Sequence, residues 1–323
     1  MTAPEVSVIL PAYNAAATLP AQLAALAAQV DAPSFEVIVS DNGSEDLTGS
    51  VAHDHASAFA SLTVVDSSAR RGPSAARNAG AAMARGRRLA FCDADDVVST
   101  GWLAALSRAL DAADAVAGAF EHQQLNPPGA VAVSWSTDVP IRLASWPELP
   151  AGASSNLAIT TAAFRDLGGF DEDLATCEDI DLCWRVQLSG YTLAFAHDAI
   201  VHERKRSGLR ATYRQSVAYA RGTLDLEAKH RARLGSMPFT SETGGEADGG
   251  ASDALEDRCG IAPLGSTTAS SEAGHGTAST GRLAALARRL RRHDRASLIA
   301  DLAWRLGQRS ARRTRPGRRA GKE

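Results

Sequence analysis

Through the first 125 residues, short runs of consecutive apolar positions alternate with longer stretches in which apolar residues recur every three or four places. The runs VSVIL from Val6, FEVIVSD from Phe35, LTVVD from Leu62 and RRLAFC from Arg87 predict four strands covered on both faces. Thr18 is expected to cap a helix carrying Leu19, Leu23, Leu26 and Val30, and Ser44 one from about Leu47 to Ala60. The Ala-rich GPSAARNAGAAMAR and the segment Trp102 to Leu110 supply two more helices. Such alternation predicts a Rossmann-like, mostly parallel sheet flanked by helices, an α/β fold.

The rhythm loosens after Asp111. AVAGAFEH and GAVAVSW read as strands around the turn NPPG, and a Pro- and Trp-bearing loop runs on to GASSNLAI. Ile180, Trp184 and Leu188 predict a helix from Glu178 to Leu188, closed by Gly190. TLAFAH and AIVHERKR follow, then a helix reaching about Arg233. Between 234 and 281 the chain is dominated by Gly, Ser, Thr, Ala and Glu without apolar periodicity, which predicts a disordered linker. Beyond it, Leu283, Leu286, Leu290, Leu298, Leu302 and Leu306 share a face largely opposite Arg288, Arg289, Arg292, Arg295 and Arg305, the pattern of a basic amphipathic helix over 282–309 with a basic tail to 323.

Charge sharpens that division. The formal net charge of -3 hides 14 Lys and Arg against three acids in the last 42 residues, and 20 against 34 in the rest. A basic amphipathic segment on a tether suits an anionic membrane surface, or equally the acidic body of its own chain. Only this tail suggests nucleic acid, and no nucleic-acid partner is expected. With 323 residues and 45% hydrophobic content the chain can bury a sizeable core. No window holds the roughly 18 to 20 uninterrupted apolar residues of a membrane span, and the start MTAPEVSVIL lacks a secretory pattern. Cys92, Cys177, Cys183 and Cys259 follow no zinc spacing and are expected as reduced thiols. A cytoplasmic protein is expected, with peripheral attachment to the inner face of the membrane left open.

Ligands of parallel α/β sheets bind beyond the carboxyl ends of the strands, and the chemistry-bearing residues fall there. Tyr13 and Asn14 follow the first strand, Asp41, Asn42 and Gly43 the second, Arg70 and Arg71 the third, and LAFCDADDV places Asp93, Asp95 and Asp96 after the fourth. Three carboxylates in four residues repel one another unless a cation stands between them. Closely spaced hard oxygens suit Mg²⁺ or Mn²⁺, which commonly shares such ligands with substrate phosphates, so a nucleoside diphosphate is the natural partner. Arg77, Arg204, Lys205 and Arg206 offer charge for a diphosphate. Asp41 and Asn42 can read a base edge or a ribose hydroxyl, although SDNGS is also a plain turn. Glu178 and Asp179 satisfy a helix N-terminus, and one of them can equally serve as a general base. His202 suits a packed position or a metal ligand.

In their order these stretches resemble glycosyltransferase family 2, whose catalytic domain has the GT-A fold. The matching text is VSVILPAYNAAATL, FEVIVSDNGSEDLT, GPSAARNAG, LAFCDADDV, GASSNLAI, LGGFDEDL, CEDIDLCWRVQLSGY and AIVHERKR, spanning about residues 4 to 206. The resemblance implies an inverting, metal-assisted transfer of sugar from a nucleoside-diphosphate sugar, UDP being the expected nucleotide, to a carbohydrate or lipid-linked acceptor. It implies a catalytic domain over 1–233, with a nucleotide-binding half 1–125 and an acceptor-binding half 126–233. By position, Pro11, Tyr13, Asp41 and Asn42 are similar to the nucleoside edge, with Arg77 near the nucleotide. Asp93 and Asp95 resemble the metal and ribose aspartates, Asp96 adds a second metal ligand, and His202 is similar to a histidine completing the metal site. Asp179 resembles the base, with Glu178 beside it, and Arg204 and Arg206 reach the diphosphate. Many members carry two acids where this chain has Asp41 and Asn42, which loosens the nucleotide assignment. A sugar-nucleotide pyrophosphorylase would want a glycine-rich phosphate loop after the first strand, and PAYNAAAT has no glycine. A non-catalytic binding or assembly subunit would not need both the DADD and EDID clusters.

Overall fold

The structure, a computed structural model, describes residues 3–127, 140–143, 145–205, 209–234 and 306. The four expected strands form as β1 (Val6–Ala12), β2 (Phe35–Asp41), β3 (Leu62–Asp66) and β4 (Arg88–Cys92). They pair in parallel in the order β3-β2-β1-β4, with Val8 opposite Val37 and Ala90. Val8, Ile9, Val37, Val39, Leu89 and Phe91 are fully covered. Full burial of apolar side chains on both faces is why β1, β2 and β4 lack a polar face; β3, expected to be covered likewise, is the edge strand, and Thr63 and Asp66 in it are exposed.

The second half of the sheet is mixed. Continuing from β4 come β7 (Asn156–Thr160), β6 (Ala115–Glu121), β8 (Leu193–His202) and the two-residue β5 (Val97–Val98). β7 runs antiparallel to both β4 and β6, and β8 runs parallel to β6. The expectation of a mostly parallel sheet holds for the first four strands and is modified here. NLAI, which ends the stretch the loop runs to and is given no element by the apolar pattern, is a central strand. TLAFAH and AIVHERKR join as the single strand β8, whose register against β6 shifts between Gly118 and Ala119: Gly118 pairs with Ala196 and Ala119 with Ile200. Asn156 bridges that irregularity, its Nδ2 donating to Ala119 O (2.7 Å) and Ala199 O (2.9 Å) while its Oδ1 accepts from Trp102 Nε1 (2.8 Å). A Cβ on Gly118 would stand 2.4 Å from both Ala199 O and Asn156 Oδ1, so only glycine lets the chains approach.

Helices α1 (Leu19–Ala27), α2 (Thr48–Asp54), α3 (Pro73–Met83) and α4 (Trp102–Ala109) follow their strands. α1 starts at Thr18 without a side-chain cap, and Val30 lies beyond its end, exposed. α2 is shorter than expected, and Ser44 does not cap it; Ser44 Oγ instead accepts from Asn14 N at 2.9 Å, tying the turn after β2 to the turn after β1. α5 (Thr161–Asp166) is capped by Thr160, and α6 spans Glu178–Leu188 as expected, with Gly190 at φ +87°. Phe91 packs against Phe164 and Phe170 at ring-centroid distances of 5.5 and 5.1 Å, which carries the sheet to the segment leading into α6. The described residues up to Lys205 belong to one compact unit; α7 (Leu209–Leu234) belongs to a second. The GAVAVSW strand, the linker beyond Leu234, the basic amphipathic segment apart from Leu306, and Cys259 lie outside the described residues. Among the described residues no helix is long and apolar enough to cross a membrane.

Candidate active site

The carboxyl ends of β1, β2 and β4 carry the first group of residues. Asp41 ends β2, and its Oδ1 accepts from Ser44 N in the turn that follows at 2.8 Å. Asn42 is buried and spends its amide on the segment after β3: Nδ2 donates to Ser67 O (2.7 Å) and Arg70 O (2.9 Å), and Oδ1 accepts from Gly72 N (2.8 Å). Pro11 lies in β1, and Tyr13 beyond it is 54% exposed with the Arg71 guanidinium 5.2 Å from its ring centroid. An exposed ring under a cation beside Asp41 makes an aromatic and acidic rim.

After β4 the chain turns through Asp93, Asp95 and Asp96, whose ligand oxygens all lie within 4.8 Å of one another. Gln22, fully buried in α1, fixes this turn: its Nε2 donates to Asp93 O and its Oε1 accepts from Val98 N, both at 3.0 Å. Arg204 closes the other side, its backbone N–H donating to Asp96 Oδ1 (2.8 Å) and its Nε to Asp95 O (3.0 Å). Burial pushes the Asp96 carboxyl up to about 9, helped by the charges of Asp93 and Asp95. A carboxyl buried beside two others is costly to ionise without a positive charge at hand, and three hard oxygen donors fit a divalent cation of the Mg²⁺ or Mn²⁺ type. His202, at the end of β8, pairs with Val97 and with Glu121 in the sheet; its Nδ1 lies 2.9 Å from Glu121 Oε2. It is not in the close carboxylate group, although a carboxylate on Nδ1 is the arrangement that leaves Nε2 to face a metal. Arg206 lies outside the described residues.

The second acidic cluster opens α6. Cys177, at φ +66°, turns the chain into the helix, and Glu178 and Asp179 occupy its first turn. Asp179 Oδ1 accepts from Ile180 N (2.8 Å) and Oδ2 from Ser154 N (3.2 Å), so the loop Pro140 to Asn156 reaches the acid pair through Ser154. That loop is held by an Ile141–Ala151 bridge and by Trp184, whose Nε1 donates to Leu149 O at 3.0 Å and whose ring meets Trp146 edge-on at 5.3 Å. Burial, with the charge of Asp179, lifts Glu178 to about 7; burial also raises Asp179, against the backbone N–H groups it accepts. Asp181, fully buried in the same turn, is taken by Arg185 Nε at 2.7 Å.

The two clusters meet at Arg77 in α3, which is 3% exposed. Its Nη2 stands 2.7 Å from Asp93 Oδ1 and its Nη1 3.1 Å from Glu178 Oε1. Asp93, Asp95, Asp96, Glu178, Asp179 and Arg77 thus form one continuous site, with Arg204 at its rim, while Asp41, Asn42 and Tyr13 stand at the turns after β1 and β2. Gln22, Glu121 and Ser154 were not singled out from the sequence. Their partners lie 71, 81 and 25 residues away, and no local pattern announces them. Cys92, Cys177 and Cys183 are buried and in no disulfide, and burial pushes the Cys183 thiol up to about 12.

Comparison with known proteins agrees with this architecture. Residues 7–150 match the family model described as glycosyl transferase family 2, and residues 146–305 the model described as glycosyl transferase family group 2. The glycosyltransferase AglE of Haloferax volcanii is 32% identical over 203 residues, covering 62% of this chain and 66% of that protein. The pre-mycofactocin glycosyltransferase of Mycobacterium tuberculosis is 30% identical over 239 residues, 70% of this chain and 48% of that protein. The chain therefore spans between about half and two thirds of the length of these curated relatives. Among solved structures, the mannosyltransferase PcManGT from Pyrobaculum calidifontis, in complex with GDP-Man and Mn²⁺, shares the fold with a TM-score of 0.56 at 24% identity, over 74% of this chain and 67% of that one.

Proposed function

From the premise that the chain belongs to glycosyltransferase family 2, with a GT-A sheet, we propose that it moves a sugar, with inversion, from a nucleoside-diphosphate sugar to an acceptor hydroxyl. The observation that carries the reading is the continuity of the DADD carboxylates with the Glu178–Asp179 pair across a single arginine. One cluster suits a cation and a diphosphate, the other a proton acceptor, and a transfer from diphosphate to hydroxyl needs both within one substrate's length.

In this reading Asp179 takes the proton of the acceptor hydroxyl as its oxygen attacks the anomeric carbon in line, and Glu178 keeps the pair's proton affinity near neutrality. Asp95, Asp93 and Asp96 would hold Mn²⁺ or Mg²⁺, with His202 oriented by Glu121 as a further ligand. When bound, such a cation supplies charge that offsets what accumulates on the departing diphosphate. Arg204, already on the DADD turn, and Arg206 add to that compensation. Tyr13 and Asp41 face the nucleoside, and Asn42 acts on it through the 67–72 segment that its amide holds. The loop Pro140 to Asn156 meets the acceptor, a carbohydrate or lipid-linked glycan, and the basic segment 282–309 meets an anionic membrane surface.

The test is donor consumption by the full chain against UDP-, GDP- and dTDP-sugars with Mn²⁺, Mg²⁺ or a chelator, with the anomeric configuration of any product read by NMR. Chelator-sensitive release of the nucleotide and an inverted product are expected. Absence of turnover or binding with every donor overturns the reading.

A further inference from the structure

The ARN stretch of α3 sends two consecutive polar side chains to distant segments. Asn78 accepts from Phe170 N (2.9 Å) and donates to Phe170 O (2.9 Å) and Glu172 Oε1 (2.8 Å), bolting the approach to α6 onto α3. Arg77 passes its guanidinium 5.7 Å from the Phe170 ring centroid and divides its two terminal nitrogens between Asp93 and Glu178. Among the described residues its Nε has no partner, and both terminal nitrogens go to carboxylates. A planar fork with one carboxylate on each prong sets the spacing between them, which an ammonium on a flexible stem does not do.

We propose that Arg77 is a positioning residue of the transfer reaction: its fork fixes Asp93 of the cation seat and Glu178 of the acid pair at one spacing, while its charge competes with the cation for the aspartate cluster. This role rests on the donor-site reading above. Its two halves have opposite signs. Removing the charge leaves the seat more negative and strengthens cation binding; removing the fork releases the two carboxylates from one frame and slows transfer. A residue that only filled space would, when lost, weaken both.

The experiment is Mn²⁺ titration of the full chain by electron paramagnetic resonance, without donor, beside steady-state transfer kinetics, for the wild type, Arg77→Met and Arg77→Lys. Arg77→Met is expected to bind Mn²⁺ roughly three- to tenfold more tightly and to lose about 100-fold or more in kcat. Arg77→Lys keeps the charge, so its Mn²⁺ affinity should stay within about twofold while kcat still falls about tenfold or more. Weaker Mn²⁺ binding in Arg77→Met, or wild-type kcat in Arg77→Lys, overturns the proposal. If Arg77→Met does not fold, the kcat of Arg77→Lys decides alone. A wild type that binds Mn²⁺ but consumes no nucleotide sugar removes the donor-site reading; the Mn²⁺ titration then still reads the charge competition, and unchanged affinity in Arg77→Met overturns it.

Discussion

A carboxylate that must take a proton from a sugar hydroxyl works best when its own affinity for the proton stands near the working pH. Burial lifts Glu178 to about 7 and raises Asp179 beside it. The protonated pair accepts nothing, and a raised pKa means that this form fills as pH falls through neutrality. Transfer should therefore climb with pH along a limb centred near 7; kcat/KM measured from pH 5 to 9 checks it, and a limb near 4 takes the pair out of the proton path. Asp179→Asn should leave donor affinity within a fewfold and cut transfer by on the order of 10²- to 10⁴-fold, a split that isothermal titration and kinetics resolve; full activity would exclude Asp179 as the base. Gln22→Leu leaves Asp93 O and Val98 N unpaired under the DADD turn, so urea unfolding should show a loss of about 2 kcal/mol or more. The acids were legible in the sequence because they crowd into four and two consecutive residues. Gln22 was not, since a lone glutamine in an apolar helix shows nothing of the turn 71 residues away that it supports.

At the level of elements, continuous apolar runs identified β1, β2 and β4 because burial on both faces suppresses alternation, and β3, an edge strand with no fully buried residue, by its short β-branched run, whereas β7 escaped notice between a Pro- and Trp-bearing loop and α5. Its place between β4 and β6 comes from antiparallel pairing with partners distant in sequence, a property of the assembled sheet. The helix start signals misled for a related reason. Ser44 carries cap chemistry, but its hydroxyl is claimed by Asn14 N, a neighbour that only the sheet brings near. Where β6 and β8 change register, the fit is tight enough to test: Gly118→Ala drives a methyl into Ala199 O and Asn156. A loss of roughly 1–3 kcal/mol is expected from chemical denaturation, and an unchanged midpoint would show that the bulge yields.

For the whole chain, the alternation of strand and helix and the acidic clusters pointed to an α/β sheet with a cation and a nucleoside diphosphate, and the resemblance to family 2 supplied the sugar, whereas the closure of both clusters on Arg77 required three dimensions. The charge split, 14 basic residues against three acids in the last 42, has its own test. The full chain is expected to float with phosphatidylserine vesicles at low salt and to be released as salt rises, and a version ending at 281 is expected to stay below; equal flotation of the two removes the lipid contact. Parity is the remaining consequence. Three residues, His197, Asp198 and Ala199, are looped into β8 opposite no partner on β6, and an odd insertion exchanges the two faces of the strand beyond it. Were the register to run on unshifted from Gly118 and Ala196, Glu121 would stand beside Ala199 instead of His202. Changes of length at this point are thus not equivalent: losing one residue would turn the imidazole to the face that Val201 now buries, while losing two would keep its side and only shorten its reach.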